Sequence, residues 1–587
     1  MMLAVIGAFV LAAPYPAQGP GGDTFPRDQR LERKLTVHAK VMPLSDLVRD
    51  LSRETGVEIG VAPAIADRKL TLLFEDQPAA IVMARVSSLF FANWKPVKTG
   101  YFLTIDSAVR REEDDLKYAE QQVAGEQIAK FLEGLAALDG TSDTAIVKER
   151  LTLSKEAARL REEQSSSGRE RLGQIDYRLA ILQAKSWAPF ARALSTSMQV
   201  YCQQLSEGET LFASTRSDDD VPRLPSEFLP KGGIWPDASP DVIAQMHYVP
   251  SRRQLAGLVN VLGTQGGGSG MPISYKLPDI DANGKKAKLL QRLSKWATAT
   301  DPSILSTTLK LTAVANESSS PILSLADHLA YLHDHSGVQI IADAFRLVCS
   351  VDGPLAAKTV GEYLVALAKD KPADIIKTKL GYVRTESGWL LVRHKDYWRY
   401  FDSEIPEKVL LGYEQLSARR PLTLDEYASF AGNLTELQLA SFQDRGFDIF
   451  VKFPVTPLVS GSASLRFWSS LNADQRQAAL GNGLLYRELN ESQQNYYASA
   501  IRAMLWRNPI KAELLPIFFK SNRRQPPNLS FFCEQKVGPV QSQQGLSALL
   551  SATPPSEKST GLTVAFLYGV PPNGQPTTRI ALVGVAN

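Results

Sequence analysis

Cysteine is scarce: there are three in 587 residues, Cys202, Cys349 and Cys533, far apart and odd in number. That pattern supports neither a disulfide framework nor a zinc knuckle. An excess of one charge is also missing. Lys and Arg total 65 against 62 Asp and Glu, a formal +3, which makes no electrostatic case for nucleic acid. After the first residues no apolar run reaches the ~18 residues of a membrane-spanning helix. The chain has no G-x-S-x-G elbow, no H-E-x-x-H pair and no Cys-x-x-Cys. What remains is ordinary globular usage, 44% apolar and 22% charged, which excludes a disordered chain or a collagen. The length suggests about four domains.

Leu3 to Ala13 is an unbroken apolar run of signal-peptide length, too short to span a bilayer. Residues 1–17 therefore read as a signal peptide cut after Ala17, although Met1 and Met2 provide no positive charge ahead of it. Residues 18–30 read as a linker. No Cys lies near the cut, so no lipid anchor is expected. The expected location is periplasmic or secreted, with no membrane span after signal removal.

The pattern along the chain predicts an α+β fold in which small mixed modules alternate with helical segments. Residues 31–106 form the first mixed module. In it LTVHAKV alternates as a strand, and Leu44, Leu47, Val48 and Leu51 line one helical face. Gly56 sits where a helix stops in a left-handed conformation, and KPVKTGYFLTID reads as a hairpin turned at Thr99-Gly100. Residues 110–208 are helical by spacing and composition. Residues 209–304 read as a loop-rich connector with short helices, including SRRQLAGLVNVLG as a helix and GTQGGGSG as a tether. Residues 305–400 form a second mixed module, with a hairpin turned at Ser387-Gly388. Residues 420–510 are helical, with Asn472/Gln475 and Asn490/Gln493 as capping pairs. Residues 528–587 read as β-rich, ending in a hairpin.

Setting Gly56 over Gly337 brings the two mixed modules into register. Leu44 falls on Leu325, Val48 on Leu329, Leu51 on Leu332, Val57 on Val338 and Ile59 on Ile340. Further on, GYFL from Gly100 matches GWLL from Gly388. The first copy resembles the secretin and TonB short N-terminal domain in its pattern Leu44, Leu47, Leu51, Gly56, Val57, Ile59, Tyr101 and Leu103. The second copy is a weaker match, with His328 where the first has Leu47. The resemblance implies a small α+β domain of the bacterial cell envelope, used in protein–protein contact, assembly or signalling and not in catalysis. No barrel follows: the chain turns helical instead of showing many alternating segments of about ten residues.

Candidate chemistry is thin. Asp279, Asp281, Asn283 and Gly284 resemble the start of a calcium loop, but Leu290 stands where a bidentate Glu belongs and Lys285, Lys286 and Lys288 would repel a cation, so a turn is the better reading. His328, His333 and His335 cluster, yet His328 and His333 do not share a helical face, and capping or surface roles are expected. Cys349 reads as a buried strand thiol. Trp389, Arg393, Tyr397, Trp398 and Arg399 combine the residue types of interface hot spots and mark a possible interaction surface, with core packing as the competing reading. The sequence thus points to an exported, non-catalytic protein that binds an envelope protein or a surface polymer. No catalytic residue, cofactor or metal ligand is assigned. The alternatives are an accessory subunit of a secretin-type secretion or pilus machine, and a hydrolase of unrecognised type.

Overall fold

The computed structural model describes residues 28–163, 166–215, 221–225, 228, 241–250, 253–262, 268–278, 288–310, 324–346, 357–368, 380–442, 451–504, 529–539, 560–570 and 578–583. The expected signal peptide, the Asp279–Gly284 turn and Cys349 lie outside them.

The chain begins with β1 (Lys34–Pro43), α1 (Leu44–Thr55), β2 (Glu58–Val61), α2 (Pro63–Ala66), β3 (Lys69–Pro78), α3 (Ala79–Phe90), β4 (Ala92–Val97) and β5 (Gly100–Ile105). Helices α4 (Ser107–Ala136), α5 (Asp143–Glu163), α6 (Ser166–Gln183), α7 (Ala188–Ala193) and α8 (Met198–Ser206) follow. Next come strands β6 (Thr210–Ser214), β7 (Asp241–Val249), β8 (Gln254–Leu262) and β9 (Gly268–Lys276). The second mixed stretch holds α9 (Lys288–Trp296), α10 (Pro302–Leu305), α11 (Leu325–Ser336), β10 (Gln339–Asp343), α12 (Val360–Ala368), β11 (Tyr382–Glu386), β12 (Trp389–Arg393) and α13 (Tyr397–Tyr400). The last part holds α14 (Glu407–Ser417), α15 (Leu424–Asn433), α16 (Glu436–Ser441), α17 (Thr456–Ser470), α18 (Ala473–Leu480), β13 (Leu484–Leu485), α19 (Glu491–Met504), β14 (Ser530–Pro539), β15 (Thr560–Val570) and β16 (Thr578–Val583). The fold is α+β, with several small sheets among the helices.

Two compact units result, one of Met1–Asp115 with Lys286–Glu407, the other of Leu116–Lys285 with Lys408–Asn587. The two mixed segments that read as separate modules fall in the same unit and share a sheet, ordered β1-β3-β10-β12-β11. The join is an antiparallel pairing of β3 with β10, in which Leu73 faces Ile340 and Leu72 faces Ile341. These strands are apolar on both faces because helices cover both. Leu72, Phe74, Ile341, Trp389 and Leu391 pack with Leu47 and Leu51 of α1 and Val82 and Val86 of α3. Leu73, Ile340, Ala342, Leu390 and Val392 pack with Leu329 and Leu332 of α11 and Tyr363 and Leu364 of α12. A second, three-stranded sheet, β2-β5-β4, adds Ile59, Tyr101, Leu103 and Trp94 to the first of these cores.

The bonding at the helix stop recurs between the two segments. Gly56 and Gly337 end α1 and α11 at φ 68° and 72°, a conformation that costs a residue without Cβ little. The Thr55 hydroxyl donates to the Leu51 carbonyl (2.7 Å) and accepts from the Val57 N–H (3.2 Å). The Ser336 hydroxyl does the same with Leu332 (2.5 Å) and Val338 (3.2 Å). β2 then runs parallel to β5, which forms a hairpin with β4, and β10 runs parallel to β12, which forms a hairpin with β11.

The first hairpin turns at Lys98-Thr99, not Thr99-Gly100, while the second turns at Ser387-Gly388 as read. Glu58 accordingly faces Gly100, and its counterpart Gln339 faces Trp389. The sequence match of Gly100 with Gly388 is therefore one residue out of register. A Cβ on Gly100 would lie 1.8 Å from the Glu58 carbonyl oxygen, so that position takes only glycine, whereas its counterpart carries Trp389.

In the other unit, the stretch read as a loop-rich connector folds as an antiparallel sheet, β6-β7-β8-β9. Gln254–Leu262 of SRRQLAGLVNVLG forms β8 and not a helix, and Gly268, Ser269 and Gly270 at the end of GTQGGGSG open β9. Leu255, Gly257, Val259 and Val261 are buried at period two, and this alternation prevails over the helical spacing of Leu255, Leu258 and Leu262. Gly257 passes beneath Trp187, where a Cβ would lie 2.6 Å from the ring. Phe131 stacks on Tyr275 at 4.1 Å in the same core. The capping pairs form as read: Asn472 with Gln475, and Asn490 with Gln493, each exchange reciprocal bonds. The C-terminal hairpin is present as β15 and β16 beside β14. Among the described residues no helix is long and apolar enough to cross a membrane.

Candidate functional site

Two clusters of polar side chains stand out, both in the two-copy unit. The first is buried where the shared sheet ends. Arg393, the last residue of β12, is fully buried. Its guanidinium donates to the Leu89 carbonyl, lies 3.7 Å from Glu113 and 3.9 Å from Asp343, and sits 3.7 Å from the centre of the Tyr397 ring. The Tyr397 hydroxyl donates to Glu113 at 3.0 Å, and Arg68 reaches the other Glu113 oxygen at 3.1 Å. Beside it Lys69 donates to Glu404 (2.5 Å) and to the Ile405 carbonyl (2.6 Å), and Arg346 pairs with Glu407. Cations and carboxylates thus alternate, as burial of charge requires.

Burial sets the protonation behaviour here. It pushes the Tyr397 phenol up and the Arg68 and Lys69 cations down, with Glu113 and Glu404 opposing the fall. Burial also pushes Asp343 up to about 6, against the pull of Arg393 and of the His394 N–H, which donates to it at 2.7 Å. The folded state therefore holds this proton more tightly than the unfolded chain does. The resulting stability is present at low pH and is lost as pH rises through about 6. Asp343→Asn removes the dependence while keeping an acceptor for His394. Relative to the parent, the variant is expected to gain about 3 kcal/mol between about pH 4 and about pH 7, from roughly two units at 1.36 kcal/mol each. Urea unfolding of both proteins at the two pH values measures it.

The residues marked in the sequence as a possible interaction surface belong to this interior. Trp389, Arg393, Tyr397 and Trp398 are buried, and Arg399 is largely buried beside Asp396, 3.5 Å away. The surface reading is corrected to core packing. Trp389 packs against Phe74 of the first copy at 5.4 Å, and Arg393 ends a buried strand facing the Glu113 and Asp343 carboxylates.

The second cluster involves one of the histidines marked in the sequence. His328 and His333 are buried, which corrects the surface role expected of them, and they point apart as their spacing requires. His328 Nδ1 bonds the Tyr363 hydroxyl at 2.9 Å. His333 Nδ1 lies 2.8 Å from the Val338 carbonyl, and its ring meets that of His38 edge-on at 4.8 Å. His335 Nδ1 lies 2.8 Å from the Tyr331 carbonyl, in the last turn of α11. His38 of β1, Glu75 of β3 and His333 each present one donor atom, all within 4.8 Å of one another. Sequence reading missed His38 and Glu75. His38 shares its face with Leu73, which it opposes, and Glu75 lies two residues on from Leu73. That alternation places both on the side covered by α11, but only the pairing of β3 with β10 brings α11 there.

Set against protein-family models, curated proteins and solved structures, the chain matches none of them.

Proposed function

We propose that the chain is an exported, non-catalytic protein of the bacterial cell envelope that acts by binding another envelope protein or a surface polymer. The observation that carries this reading is the doubled unit. The bonds around Gly56 recur around Gly337, and the parallel-strand-and-hairpin arrangement recurs with them. Both support two copies of the small α+β unit that the sequence likens to an assembly domain. A secretin-type secretion or pilus machine is one partner class that fits the resemblance.

The contact is assigned to the outer face of the β2-β5-β4 sheet. There Phe102 opposes Lys95 and lies over Gly60, where a Cβ would come within 2.7 Å of the ring. Val97 is 47% exposed and Phe102 36%, while the inner face is core. A Phe102→Glu/Val97→Glu variant of the full chain is expected to keep its circular dichroism. It should bind at least tenfold less of a stoichiometric partner captured by the parent from envelope extract. Equal capture by both proteins, or no partner for the parent, would overturn the proposal.

A further inference from the structure

We infer that His38, Glu75 and His333 form a binding site for one divalent transition-metal ion of the zinc class. This stands independently of the proposed contact role. Two imidazoles and a carboxylate are a donor set that suits zinc, with a fourth position left to water. The three donor atoms lie within 4.8 Å of one another, and His38 Nε2 is already 3.6 Å from Glu75 Oε1. A tetrahedral zinc with bonds of about 2.0–2.1 Å holds its ligand atoms about 3.3 Å apart, so only a small closure is needed. The two ligands that would move, His38 and Glu75, have side chains 44% and 64% exposed, and His333 is buried.

The surroundings fit a ligand site. The Val338 carbonyl accepts the Nδ1–H of His333, which fixes the tautomer and leaves the lone pair on Nε2, as the outer shell of metal-bound histidines does. The Glu75 N–H donates to Gln339 Oε1 at 2.7 Å, so the second copy also holds the backbone of this ligand. The nearby cations are committed: Lys40 pairs with Asp327 at 2.7 Å and Lys34 with Asp76 at 2.5 Å. Two ligands come from the first copy and one from the second, so the ion would clamp the two copies across their shared sheet.

The test uses the full chain stripped with a chelator and titrated with zinc against a chromogenic competitor, alongside the cobalt(II) absorption spectrum. One equivalent is expected to bind, cobalt giving a four-coordinate spectrum. His38→Ala and Glu75→Gln are each expected to weaken zinc binding at least tenfold, and together to abolish the cobalt spectrum. Both positions are exposed, so these variants fold. Saturating zinc is also expected to raise the unfolding midpoint of the parent and not of the double variant. Binding of less than one equivalent by the parent, or undiminished affinity in the double variant, would overturn the assignment.

Discussion

Replacing Arg393 with alanine is expected to destabilise the two-copy unit by about 3–5 kcal/mol, the range for deleting one partner of a buried ion pair. The size follows from what the guanidinium leaves behind. Asp343, 3.9 Å away, is fully buried, and Glu113, 3.7 Å away, would keep Arg68 as its remaining cation in this cluster. The Leu89 carbonyl would lose its donor, and the Tyr397 ring would lose the cation stacked on it. Lysine cannot substitute, because one ammonium does not present the planar set of donors that meets several partners at once. Arg393→Met, which keeps the bulk but not the charge, separates the two contributions. A similar loss in both variants shows that charge dominates, and a much smaller loss for methionine assigns the effect to packing. Urea unfolding, read by hydrogen exchange in β10 and β12, provides the number.

Trp389→Ala is expected to cost about 3–5 kcal/mol, the range for emptying a large aromatic site in a core. Trp389 belongs to the second copy by sequence, yet it packs with Phe74 of β3 and shares the core of α1 and α3. The cavity therefore opens inside the first copy. Protection from exchange should fall in β3 and α3 together with β12, and by a similar free energy. Loss confined to residues 325–393 would mean that the copies are stable independently.

Several local signals were legible, although the turn read at Thr99-Gly100 lies one residue earlier. The stop at Gly56 and Gly337, the capping pairs at Asn472 and Asn490, and the turn at Ser387-Gly388 each rest on residues within a few positions of one another, and all are present. The join of β3 to β10 was not legible, because about 270 residues separate paired positions such as Leu72 and Ile341. A trace of it lay in the runs LTLLF and QIIA, which are apolar without alternation, as strands covered on both faces are. β8 was misread because leucines three and four apart also satisfy a helix, and only burial at Gly257 and Val259 decides between the two. The aromatic and arginine set near residue 393 was legible as a group. Its side of the sheet was not, since hot-spot and core residues share their types. His38 and Glu75 carried no sequence signal, because their partner His333 is contributed by the other copy.

The two copies form one folded body through a continuous sheet. Native-state hydrogen exchange on the full chain, parent against Trp389→Ala, tests it most directly. Peptides of β3, β10 and β12 are expected to share one opening free energy in the parent and to lose protection together in the variant. Unchanged protection of β3 beside a weakened β12 would contradict it.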